Sequence, residues 1–158
     1  MSFESILIPT DGSEGARDAA ETGFGLAEEL NAEVHVVSVV DTELVNTTTY
    51  TGTSPKNEAR IEERAREHVD TLADEAEKRG LTVTRSTPKG VPASRIVGYA
   101  EDEDIDLIVM GTAGRGGFRR ALIGSVADKV VRTSPVPVVT VRPDRSDGSD
   151  GPESPDED

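Results

Sequence analysis

Cysteine is absent from the 158 residues, so disulfides, thiolate nucleophiles and zinc–thiolate centres are excluded and packing alone must hold the fold. No apolar run approaches the roughly 20 residues that a bilayer span requires, and no membrane insertion is expected. The opening MSFESILIPTDGS has no basic region ahead of its apolar stretch and no small-residue cleavage site behind it, which predicts an unexported, cytoplasmic protein. Basic residues are scarce. Lys and Arg number 17 against 31 Asp and Glu, a net charge of −14, and such a field repels DNA, RNA and anionic lipid, so neither nucleic acid nor membrane is expected as a partner. An acidic surface with few lysines is also what proteins of salt-loving organisms carry, a property of their solvent and not of function.

Further absences remove enzyme classes. The only two histidines are His35, inside an apolar run, and His68, on an amphipathic stretch. Both read as structural or solvated, so a Ser-His-Asp triad has no place for its base. No Lys lies between Lys89 and Lys129, which excludes the G-x-x-x-x-G-K-[ST] phosphate loop there. Gly114 and Gly116 follow the fourth strand-like run instead of the first and lack the dinucleotide-binding spacing.

What is present has the balance of one soluble globular domain, with 34% hydrophobic and 30% charged residues. The segment 143–158, rich in Asp, Ser, Gly and Pro, reads as a disordered acidic tail, which leaves residues 1–142 as the folded domain. Asp41 to Pro55, rich in Thr, reads as a long surface loop. Elsewhere two periodicities alternate. Strand-like runs cover Phe3–Pro9, Val34–Val40, Leu81–Ser86, Ile105–Met110 and Val136–Val141. Between them, Ala16, Ala20, Phe24, Ala27 and Leu30 recur at helical spacing, as do Ile61, Ala65, Val69, Leu72 and Ala76, with Gly80 as a stop. Pro92 opens a third helix that buries Ile96, Val97 and Ala100, and Gly124–Thr133 reads as a short fourth.

The order βαβαβαβαβ predicts an α/β fold: a doubly wound five-stranded parallel sheet, strand order 3-2-1-4-5, with helices on both faces. Ligands of such sheets bind outside the carboxyl ends of the strands, where the winding reverses. Here that lies between strands 1 and 4, at the loops after Pro9 and Met110. The first loop is Pro9-Thr10-Asp11-Gly12-Ser13; the second runs from Gly111 through Gly114, Arg115, Gly116, Gly117, Arg119 and Arg120 to Gly124 and Ser125. Glycines that let backbone amides approach a ligand, followed by a helix N-terminus, suit an anion, and the arginines concentrate positive charge on an acidic chain. Plainer roles exist for each. Ser125 with Asp128 fits a capping box, Asp11 or Ser13 fits the N-cap of the first helix, and a glycine-rich loop can be a simple turn. The coincidence of both segments at the switch point favours a ligand.

The run Asp106-Leu107-Ile108-Val109-Met110-Gly111, then Gly114, then Gly124-Ser125 after nine intervening residues, resembles the signature of the ATP-binding universal stress proteins. The resemblance spans about residues 3–142, including Ile8-Pro9-Thr10-Asp11-Gly12-Ser13 and Pro135-Val136-Pro137-Val138-Val139. It implies that Pro9, Thr10 and Asp11 line the adenosine part of an ATP site and that Val39 offers its backbone to adenine. Gly111, Thr112, Gly114 and Arg115 would follow ribose and phosphates, Gly124, Ser125 and Val126 would close on the phosphates, and Mg²⁺ or Mn²⁺ would be held mainly by phosphate oxygens. It also implies a homodimer through the last strand, at Val136, Val138 and Val139, and a regulatory module, not an enzyme. Two alternatives stay open: slow ATP hydrolysis, and a family member that binds no nucleotide and acts through dimer or partner contacts. A receiver domain on a similar sheet fails for want of an acidic pair after strand 1 and a Lys after strand 5.

Overall fold

The computed structural model describes residues 2–43, 55–113 and 123–143. Its centre is β1, Ser5–Pro9, whose Ile6, Leu7 and Ile8 are fully buried. Apolar side chains on both faces of a strand require cover on both sides, and parallel sheets supply it through their helical crossovers. β1 lies between β2 (Glu33–Val37) and β6 (Leu107–Gly111); β4 (Val83–Ser86) flanks β2 and β7 (Val138–Val141) flanks β6, every pair parallel. The order β4-β2-β1-β6-β7 is the expected 3-2-1-4-5, with the winding reversing between β1 and β6.

Two short strands do not belong to that sheet. The apolar run Val34–Val40 predicts one strand, but the ladder ends at Val37, whose carbonyl accepts the Thr10 N–H at 2.8 Å. Val40–Asp41 then forms a separate parallel pair, β3, with Lys89–Gly90, β5. Other boundaries move inward. β1 starts at Ser5 and not Phe3, β4 at Val83 and not Leu81, β6 at Leu107 and not Ile105, and β7 at Val138 and not Val136. Phe3, Leu81, Ile105 and Val136 all pack on the core from outside the ladders, and an apolar pattern reports burial, not backbone pairing. Val136 is instead held by Ser134, whose Oγ accepts its N–H at 3.0 Å and donates to its carbonyl at 2.7 Å.

The helices are α1 (Glu14–Leu30), α2 (Pro55–Lys78), α3 (Pro92–Asp102) and α4 (Ser125–Thr133). Ala20, Phe24 and Ala27 of α1 pack with Val69, Leu72, Ala73 and Ala76 of α2 against Ile6, Ile8 and Val109. Ala93, Ile96 and Ala100 of α3 pack with Ala127 and Val130 of α4 against Leu7, Ile108 and Met110 on the opposite face. The alternation Ile108, Val109, Met110 between the two layers is the period of two that a strand imposes. Leu30, the last residue of the helical stripe and in the last turn of α1, is 41% exposed. α2 ends just before Gly80, as the sequence predicts.

Candidate functional site

Because α1 leaves β1 over one face of the sheet and α4 follows β6 over the other, the chain parts at the carboxyl ends of β1 and β6. A cleft of about 670 Å³ opens there, the crevice that a winding reversal creates.

Its floor is the turn from β1 to α1, which short polar side chains build from within. Thr10 Oγ1 accepts the Gly12 N–H at 3.1 Å, Asp11 Oδ1 accepts the Ser13 N–H at 2.9 Å, and Ser13 Oγ accepts the Ala16 N–H at 3.1 Å. Ser13 is therefore the N-cap of α1, while Pro9, Thr10 and Asp11 line the cleft. Gly12 has a φ of 82°, which favours glycine, and a Cβ there would meet the His68 ring, which would have to move aside.

The second side comes from β6. Gly111, Thr112 and Ala113 line the cleft, and the Gly124 N–H donates to the Thr112 carbonyl at 2.6 Å, so the chain returns beside the point it left. Gly114 and Arg115, with Arg119 and Arg120, lie outside the described residues. α4 then begins with Gly124 as its N-cap and no side-chain cap bond. The capping box expected of Ser125 and Asp128 is not formed, because Ser125 is already the first helical residue. With no cap, the first-turn amides of α4 keep the donor capacity and positive dipole end that attract anions, and Gly124, Ser125 and Val126 line the cleft. Thr112 is buried, and its Oγ1 has no hydrogen-bond partner among the described residues. Val39, just past the end of β2, is half-buried and lines the cleft where the sheet has stopped. Every described residue of the sequence-derived set thus borders one cavity.

The remaining wall was not legible as part of a site. α2 has 24 residues, about 36 Å at 1.5 Å per residue, against about 17 Å for five-residue strands such as β1. Its first turns therefore overhang the carboxyl edge, and Asn57, Arg60, Ile61, Arg64 and His68 face the cleft. The spacing 57, 61, 64, 68 marks one helical face; the signal lay in carrying the apolar stripe back toward Pro55 and reading the polar residues on it. His68, expected to be only structural or solvated, borders the cavity against Gly12. His35 fits the structural reading. It is buried, with Nδ1 2.7 Å from the Tyr99 hydroxyl, and burial pushes the Tyr99 phenol up to about 12, with Glu103 and Glu33 adding to the effect.

The Universal stress protein family profile matches residues 2–142. The chain belongs to the universal stress protein family. Universal stress protein MJ0531 of Methanocaldococcus jannaschii is 36% identical over 140 residues, covering 89% of this chain and 82% of its own length. Among solved structures, that of the protein MJ0577, whose biochemical function was assigned from structure, superposes with a TM-score of 0.79 at 29% identity, covering 89% of this chain and 96% of that one. The universal stress protein of Archaeoglobus fulgidus in complex with dAMP shares the fold at a TM-score of 0.64 and 19% identity, covering 90% of this chain and all 100% of the other. For this family member, the described residues include no helix long and apolar enough to cross a membrane.

Proposed function

We propose that this universal stress protein is an ATP-binding regulatory module of the cytoplasm, built from residues 1–142 with an acidic tail at 143–158. The observation that carries this is the uncapped N-terminus of α4 beside Gly111 and Thr112, opening onto the same cleft as Asp11 and Val39. In this reading Pro9, Thr10, Asp11 and Val39 hold the adenosine part. Gly111, Thr112, Gly114 and Arg115 follow ribose and phosphates, and Gly124, Ser125 and Val126 bind the phosphates through backbone amides and the Ser125 hydroxyl. The chemistry of the donor set fits a phosphate chain, since an anion supplies the acceptors that first-turn amides lack. The dAMP complex of the Archaeoglobus fulgidus protein, a member of the same fold, agrees with a nucleotide ligand. Among the described residues no group of three or more His, Cys, Asp or Glu side chains is placed to hold a metal ion; in this reading Mg²⁺ or Mn²⁺ would take its ligands from phosphate oxygens and water, as Mg²⁺ commonly does.

A ligand that binds only the native state stabilises it by RT ln(1 + [L]/Kd), about 2.7 kcal/mol at a hundredfold excess over Kd. Mg-ATP is therefore expected to raise the melting temperature in a thermal-shift titration, and no shift with ATP, ADP or AMP at millimolar concentration would remove the support for a nucleotide ligand. Repeating the apo melt at about 0.1 M and 1 M salt tests adaptation to a saline cytosol, because the screening length shortens from about 10 Å to about 3 Å. Lower melting in dilute salt is expected from the −14 charge; a flat response would reduce that charge to a matter of solubility.

The same reading includes a homodimer. β7 is an edge of the sheet, and its Val138 and Val139, with Val136 just before it, are half-buried; an unpaired edge seeks a partner strand. Sedimentation at micromolar concentration is expected to show a dimer, and a monomer in both high and low salt would contradict it.

A further inference from the structure

Cations along α2 and the strands beside it are mostly paired. Lys89 lies 2.6 Å from Glu62 and 3.7 Å from Glu58, Arg66 lies 3.2 Å from Glu63, and Arg85 meets Asp70, Asp74 and Glu77 at 2.7–3.0 Å. The carboxylates nearest the start of the helix are thus engaged on other flanks. Arg60 and Arg64 differ. They stand one turn apart on the flank that lines the cleft, both are exposed, and neither forms a salt bridge with a described residue.

Like charges at i and i+4 repel, so this pair disfavours the helix unless an anion lies between them. Among the described residues, the acids of the cleft are Asp11 and Asp41, and each uses Oδ1 to accept a backbone N–H, from Ser13 and Glu43 respectively. The charged lining among the described residues is two guanidiniums and two carboxylates, on a chain where acids outnumber bases 31 to 17. Position matters as well. α2 packs on one face of the sheet and α4 on the other, so the arginines and the first-turn amides of α4 approach the cleft from opposite sides.

We propose that Arg60 and Arg64 form a second phosphate-binding wall, which grips the phosphate chain from the side opposite α4 and makes the cleft select nucleotides by phosphate number. This rests on the reading of the cleft as a nucleotide site. Guanidinium groups suit such a wall because they are always charged and their planar fork can donate two parallel hydrogen bonds to one phosphate. Each added phosphate brings charge within their reach, so affinity rises from AMP through ADP to ATP.

Calorimetric titration of the full chain with AMP, ADP and ATP tests this, using Arg60→Gln/Arg64→Gln and the charge-preserving Arg60→Lys/Arg64→Lys. The glutamine pair is expected to lower the ratio of ATP to AMP affinity at least tenfold, and the lysine pair to restore part of it. If the glutamine pair keeps the parent's ratio while the parent binds ATP, the arginine wall is wrong and the nucleotide site stands. Equal weakening of AMP and ATP would place the arginines on the nucleoside and overturn the phosphate assignment. A parent that binds none of the three overturns the site and the wall together.

Discussion

Gly111→Val is expected to destabilise the protein by about 1–3 kcal/mol with no ligand present, the usual cost of forcing extra methyl groups into a packed site. A Cβ on Gly111 would lie 2.9 Å from the Gly15 carbonyl oxygen and 3.1 Å from its carbon. Those are backbone atoms in the first turn of α1, and they cannot rotate away as a side-chain tip can. α1 and the end of β6 approach closely at a second point as well, since a Cβ on Gly15 would lie 2.8 Å from the Ala113 carbonyl oxygen. Glycine at 111 is thus explained by helix-to-strand approach before any ligand is considered. Urea denaturation of apo protein measures the loss; an unchanged midpoint would mean that α1 can shift at no cost.

Gly114→Val is expected to behave in the opposite way, with ATP affinity falling at least tenfold, about 1.4 kcal/mol, and apo melting nearly unchanged. Gly114 lies outside the described residues, and its part in the proposed site rests on its place in the Gly111-x-x-Gly114 spacing before Gly124-Ser125. If the glycine is there so that backbone amides can approach phosphate, a β-branched side chain obstructs the ligand. If the loop is a plain turn, only stability suffers. Calorimetry with Mg-ATP beside an apo melt distinguishes the two, and parent-like affinity in the variant would remove Gly114 from the phosphate site. Should the variant unfold, Ser125→Ala takes its place, with weakened ATP binding expected; because Ser125 forms no cap bond, little loss of apo stability should accompany it.

The sheet was legible because β1, β2 and β6 are covered on both faces, and continuous burial writes continuous apolar runs such as Ile6-Leu7-Ile8 and Leu107 to Met110. The same signal hid the break after Val37. Val39 and Val40 are as apolar as Val36, and only the hydrogen-bond partner changes, from β4 to Pro88, whose carbonyl accepts the Val40 N–H at 2.7 Å. Two walls of the cleft were legible because they follow strands 1 and 4 directly in the chain. The third was not, since Arg60, Arg64 and His68 reach the cleft through the length of α2, and a helix's overhang depends on the strands it packs against. Ser125 shows a further limit: one residue of register decides whether a serine caps a helix or opens it, and spacing to Asp128 does not fix that register.

Backbone amide NMR on the full chain, titrated with Mg-ATP, reads the location of the ligand directly. Saturable shifts are expected at Asp11, Val39, Thr112, Gly124, Ser125 and Val126, which border the cleft at the carboxyl edge. Glu4, Asn31 and Thr82, which border the hollow at the amino edge, should stay still. Shifts confined to the amino edge, or no saturable shift at any amide up to millimolar ATP, would contradict an ATP site at the carboxyl ends of β1 and β6.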